Sequence, residues 1–70
     1  MTLREMREAA GLTQEQAADA TGLSQPSISA IELGRVANPG IETVSSLSKA
    51  YGQPLEAVIA AVRASVGEVA

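Results

Sequence analysis

The side chains of this sequence best suited to engage another molecule are neutral amides and hydroxyls. Gln14, Gln25, Ser27, Ser29 and Asn38 fall in the first two thirds of the chain, joined by the charged Arg7, Glu32 and Arg35. Histidine and cysteine are absent. That removes the usual zinc ligands, any disulfide, and triads built on either residue. No nucleophile–base constellation and no glycine-rich phosphate loop stands out, so the expected protein is not an enzyme and needs no cofactor or metal. What remains is recognition by hydrogen bonds. Residues 22–34, GLSQPSISAIELG, pose the sharpest question, because their polar side chains carry almost no charge.

Such groups must be held by a scaffold, and 70 residues allow one domain. Hydrophobic content is 46%, too high for a disordered chain. Tyr51 is the single aromatic residue, so the core must be aliphatic and rich in alanine. No apolar run approaches the ~18 residues that a membrane span needs. The N-terminus, MTLREMREAAG, has no apolar secretory region, and a cytoplasmic protein is expected. No separate ligand-responsive domain fits in this length, so control is expected through abundance or a partner protein.

Helix signals follow one another closely. Thr2 and Glu5 fit a capping box. Leu3, Met6 and Ala10 then recur at helical spacing until Gly11. Thr13 and Gln16 form a second box, opening a helix from Gln14 to about Thr21, with Ala17 and Ala18 inward. Ser24 caps a third helix, with Pro26 tolerated in its first turn and Ile28 and Ile31 as its buried stripe. Gly34 stops it, and Asn38, Pro39 and Gly40 punctuate a loop. A fourth helix carries Ile41, Val44, Leu47, Ala50 and Tyr51 on one face. Pro54 is expected at the first position of a fifth helix, with Leu55, Val58, Ile59, Val62, Val66 and Val69 as its apolar stripe. The expected fold is all-α, a compact five-helix domain over residues 1–62 with a C-terminal helical extension over 63–70.

The second and third helices are short and joined at Thr21, Gly22 and Leu23. Gly22 can take positive φ and reverse the chain, and Leu23 can plug the angle between the helices. This is the helix-turn-helix pattern, whose second helix enters a DNA major groove. The stretch LREMREAAGLTQEQAADATGLSQPSISAIELGR resembles the phage lambda repressor/Cro-like, or XRE-type, family. The resemblance rests on Arg7, Gly11 to Gln14, Ala18, Gly22 to Ser24, Ser27 to Ser29, Ile31, Glu32, Gly34, Arg35, Pro39, Glu42 and Thr43.

The resemblance implies a sequence-specific regulator of double-stranded DNA, acting as a repressor at a palindromic operator. It places Gln25 at the main base-reading position, with Pro26, Ser29 and Ala30 along the same arc. Gln can bond adenine through N6 and N7. Pro26 departs from the polar residue or Arg usual there, and its ring could touch a thymine methyl. Gln14, Ser27, Arg35 and Asn38 match positions that meet phosphate, and a helix N-terminus favours an anion at Gln14. Arg7 and Glu32 match a partly buried ion pair that braces the reading helix. Dimerisation through the last helix is expected at Val62, Val66 and Val69. The rival expectation is a protein-interaction module, such as an antitoxin-like partner using the same fold as scaffold. Eight acidic against five basic residues give a net charge of −3, which favours that rival. Yet only Glu32 and Arg35 are charged between Ala20 and Ile41.

Overall fold

The computed structural model describes residues 1–67. Five helices follow in order: α1 (Leu3–Ala9), α2 (Gln14–Thr21), α3 (Gln25–Glu32), α4 (Ile41–Tyr51) and α5 (Leu55–Gly67). No strand occurs among the described residues.

Local chemistry fixes where the first three helices begin. The Glu5 N–H donates to Thr2 Oγ1 at 3.1 Å, and the Thr2 N–H donates to Glu5 Oε1 at 2.7 Å. Thr13 and Gln16 repeat this reciprocal pair at 3.1 and 2.9 Å. Each box satisfies donors that a helix start leaves free. Backbone bonding to Thr2 also holds the Glu5 carboxyl below its usual pKa range. Ser24 Oγ accepts from the Ser27 N–H at 3.2 Å and so caps α3. Pro26 lies in the first turn, where its missing N–H has no helical partner to lose.

The turn between α2 and α3 is built by two residues. Gly22 takes φ 77°, a left-handed conformation that costs other residues about 1–2 kcal/mol. The Thr21 hydroxyl donates to Ala17 O at 2.8 Å and accepts from the Leu23 N–H at 3.3 Å. Leu23 then packs half-buried against the core. Ala17 has no exposed surface at all. Its small side chain lets neighbouring elements approach α2 closely.

Leu3, Met6, Ile28, Ile31, Val44, Leu47, Tyr51, Val58, Ala61 and Val62 make the aliphatic core with Ala17 and Ala18. Burying each larger side chain contributes roughly 1.5–3 kcal/mol. At its edges the sequence expectations need correction. Ala10 is exposed, because α1 ends at Ala9 and the chain turns away there. Ile41 is 66% exposed, because it opens α4 directly after the loop, a full turn before Val44 enters the core. Leu55 is 37% exposed for the same reason at the start of α5. Pro54 lies just before that helix rather than in it, and its carbonyl accepts from the N–H groups of Ala57 and Val58 at 3.0 and 3.2 Å.

The fifth helix runs past residue 62 without a break, as far as Gly67. Val62 is only 4% exposed and belongs to the core, so it offers little surface to a second subunit. Val66 is half-buried, and Val69 lies outside the described residues. Gly34, at φ 75°, touches the far part of this helix. A methyl group built on it would lie 2.5 Å from the Ser65 carbonyl oxygen. Only glycine allows the end of α3 to approach α5 so closely. Among the described residues, no helix is long and apolar enough to cross a membrane.

Candidate nucleic-acid interface

The two-helix unit holds α3 with its first turn outward. Gln25 and Pro26 are exposed, while Ile28 and Ile31 are buried one and two turns further in. The helix is therefore anchored by its middle and presents its N-terminal end. No charged residue lies in that first turn.

Beneath the helix is a buried polar network. Arg7 Nε donates to Glu32 Oε2 at 2.7 Å, and Arg7 Nη2 donates to Glu32 Oε1 at 3.3 Å. The side chains are 10% and 7% exposed. Arg7 Nη1 also donates to the Leu12 carbonyl at 3.0 Å. The hydrogen bond to Glu32 raises the Arg7 pKa above its ordinary value, and burial opposes that rise less strongly. The network thus ties the end of α3 to α1 and to the loop before α2. No buried side-chain polar atom among the described residues lacks a partner.

Gln14 joins this network. Its Nε2 donates to Glu32 Oε1 at 3.2 Å. One amide proton is thereby committed to Glu32, and the second remains for an acceptor beyond it. Sequence reasoning placed Gln14 at the helix start but did not foresee this link, which spans 18 residues.

Two hollows flank α3. The first is polar and is lined by Thr2, Arg4, Arg7, Gln14, Ser29, Glu32, Leu33 and Ser65. The second is lined mainly by carbon, from Leu23, Pro26, Ser27, Ala30, Ile31, Val36, Pro39 and Thr43. Ser29 and Ala30, neighbours in sequence, therefore serve opposite flanks. Ser27 borders the apolar hollow. Its Oγ accepts from the Ser24 hydroxyl at 2.8 Å, so its own proton remains for another acceptor. Arg35 is exposed just past the helix, with its backbone N–H fixed on Ala30 O at 3.0 Å. Asn38 is also exposed, but it lines a third hollow together with Ala37, Pro39, Ile41, Val44, Ile59, Val62 and Arg63. Pro39, its neighbour, borders both this hollow and the one beside α3.

Arg4, Leu33 and Val36 border these hollows and were not foreseen as site residues. Arg4 is one turn from Arg7, a spacing visible in the sequence. It pairs loosely with Glu8 at 3.5 Å, with both side chains largely exposed. Leu33 falls off the Ile28–Ile31 stripe and is 58% exposed, a mismatch that marks surface. No cluster of acidic or other metal-ligating side chains that could hold an ion occurs among the described residues.

Residues 3–58 match the family described as Helix-turn-helix. The HTH-type transcriptional regulator PuuR of Escherichia coli (strain K12) is 43% identical over 53 residues, which cover 76% of this chain and 28% of that protein. The HTH-type transcriptional regulator DdrOP3 of Deinococcus deserti is 44% identical over 50 residues, covering 71% of this chain and 38% of the relative. The chain thus spans well under half the length of these curated relatives. No solved structure gives a significant match. The match over most of the chain agrees with the capped α2, the Gly22 turn and the buried Arg7–Glu32 pair: the chain belongs to the lambda repressor/Cro-like (XRE-type) family of helix-turn-helix transcriptional regulators.

Proposed function

We propose that this chain binds double-stranded DNA sequence-specifically as a repressor in the cytoplasm, with the first turn of α3 in the major groove. The observation that carries this reading is the uncharged, exposed Gln25–Pro26 end of a helix whose other end is clamped by the buried Arg7–Glu32 pair. A rigid mount is what base reading needs, because a bidentate amide contact tolerates little misplacement. Gln25 is assigned to adenine, with Pro26, Ser29 and Ala30 beside it. Gln14, Ser27 and Arg35 are assigned to phosphate, each with a donor left over from its internal contacts. Asn38 keeps a phosphate role only at the margin, on the loop before α4.

A homodimer on a palindromic site completes the proposal, with half-sites ~34 Å apart. Its contact is assigned to the third hollow, which Val62 of α5 helps to line, and to the exposed Ile41; at 4% exposure Val62 itself adds little surface. Val66, half-buried further along α5, is a secondary candidate.

Selection from random duplex DNA, followed by sequencing, tests the reading. A palindromic motif should emerge, and Gln25→Ala should relax one base position in each half by roughly 1–3 kcal/mol. With few cations on this face, the log–log salt slope should stay below about 6 for a dimer. No enrichment at low salt would leave the protein-partner reading ahead, with the acidic net charge in its favour.

A further inference from the structure

We propose that Gly34 and Ser65 are positioning residues for base reading: the last turns of α5 form a stop that sets the tilt of α3. The inference rests on the DNA-binding reading above and adds a second support for the reading helix, at the end far from Gln25. Gly34 moves with α3. Its N–H donates to Ile31 O at 3.1 Å, and the next N–H, of Arg35, donates to Ala30 O at 3.0 Å. Ser65 moves with α5. Its hydroxyl donates to Ala61 O at 3.0 Å, one turn back, and Ala61 is buried together with Val58 and Val62. Two rigid ends therefore meet.

The meeting is tight and has no give. A methyl group built on Gly34 would lie 2.5 Å from the Ser65 carbonyl oxygen, 2.9 Å from its carbon and 3.4 Å from the Val66 nitrogen. All three are backbone atoms, so no side chain can rotate away to allow a closer approach. Such a contact resists without pulling. The Arg7–Glu32 bond supplies the pull, two residues earlier, by tying the same end of α3 to α1. A tie and a stop together fix a direction that either alone would leave free. The lever is short and nearly balanced. At 1.5 Å per residue, Gln25 and Gly34 are roughly 13 Å apart, with the buried Ile28 and Ile31 about midway. A shift of ~1 Å at Gly34 about that pivot moves Gln25 by a similar distance. A bidentate contact to a base edge tolerates only about 0.5 Å. Ser65 lies beyond the stretch shared with the family, so this support comes from the chain's own C-terminal extension.

The test uses the full chain, the selected duplex, and a second duplex changed only at the base pair that Gln25→Ala relaxes. The readout is the ratio of the two affinities, because a loss of folded protein scales both alike. Gly34→Ala pushes the stop. Ala64→Gly combined with Ser65→Gly softens it from the other side without adding bulk. Gly52→Ala is the control: it has a similar positive φ, 63°, at the end of α4, with nothing within 4 Å. Gly34→Ala should lower the ratio about 3- to 10-fold, as for losing one of the two bonds of the Gln25 pair. The glycine pair should lower it by at least about 2-fold, and Gly52→Ala should leave it unchanged. If Gly34→Ala does not fold, the glycine pair carries the test alone. Ratios within about 1.5-fold of the parent in the folded variants overturn the stop and leave DNA binding standing. An equal fall in Gly52→Ala also overturns it, since the cause would then be general loosening. If selection yields no duplex, or Gln25→Ala relaxes none of its positions, the base-reading role falls and takes this inference with it.

Discussion

The two flanks of α3 are held by opposite chemistry. On the α1 side, an arginine and a glutamate are buried together, with Gln14 and the Leu12 carbonyl drawn in. On the loop side, proline, alanine and valine line an open hollow without a charged group. The polar flank is a mount: its hydrogen bonds point inward, fix geometry and leave few donors over. The apolar flank is a wall, with its surface facing out. The pairing explains how a chain of net charge −3 can carry a nucleic-acid surface. Glu32, the one carboxylate of α3, is paired with Arg7, and the rest of that helix carries no charge. Long-range pull is weak on such a face, so specificity has to come from short-range fit.

Cutting the mount should have the largest effect. Glu32→Ala strands Arg7, a residue only 8% exposed, without its carboxylate partner. Stranding one partner of a buried pair costs roughly 3–5 kcal/mol. A domain this small holds only about that much stability, so the variant should be largely unfolded at room temperature by circular dichroism. Replacing both partners, as in Arg7→Met with Glu32→Leu, should recover much of the loss, because the pair itself adds little net stability. A Glu32→Ala variant that melts within about 1 kcal/mol of the parent would show that the clamp is dispensable.

The glycines beside each flank offer a sharper contrast. Gly34 and Gly22 have nearly the same φ, 75° and 77°. Their surroundings differ. A methyl group on Gly34 would meet Ser65 backbone at 2.5 Å, on the edge of the polar hollow, whereas nothing lies within 4 Å at Gly22. Gly22→Ala should cost about 1 kcal/mol, from conformation alone. Gly34→Ala adds overpacking against a backbone that cannot yield, for a total of about 2–4 kcal/mol. Urea titrations of the two variants give the difference directly. Equal losses would mean that α5 moves away from α3 freely, and that the polar flank is looser than its hydrogen bonds imply.

What the sequence made legible was local. The caps at Thr2, Thr13 and Ser24 and the turn at Gly22 are decided by residues three or four apart, so spacing alone revealed them. Helical periodicity also found the core stripes, but it could not say where a stripe leaves the core. Ile41 and Leu55 continue the 3.6-residue rhythm yet lie in first turns, at the rim. Val62 fitted both core and interface by pattern, and only packing decides between them. The hollows were illegible for a different reason. Each joins segments distant in the chain, such as Pro26 with Pro39, or Thr2 with Ser65. The Gln14–Glu32 bond joins distant segments too, and neither partner's spacing advertises it. The Arg7–Glu32 pair, equally distant, was expected only because the motif resembles a family.

pH should distinguish the flanks with the smallest effect of the three. The apolar hollow contains no titratable side chain. Tyr51 lies on the other side, within the electrostatic reach of Glu32 and Arg7. Burial, followed by the negative charge of Glu32, pushes its phenol up to about 12 from an ordinary 10. The folded state therefore favours the neutral phenol. That contribution is complete below pH 10 and disappears as pH rises from 10 through 12, where the unfolded chain ionises first. Stability should fall over that window by on the order of 1–2 kcal/mol. Tyr51→Phe keeps the ring and removes the proton, so its stability should be flatter across the same range. Tyr51 is the single tyrosine, so its absorbance near 295 nm reports the titration without interference. A phenol that ionises near 10 in the folded protein would mean that water reaches the back of the clamp. The polar flank would then be a solvated contact rather than a rigid mount, and the contrast with the wall opposite would lose its basis.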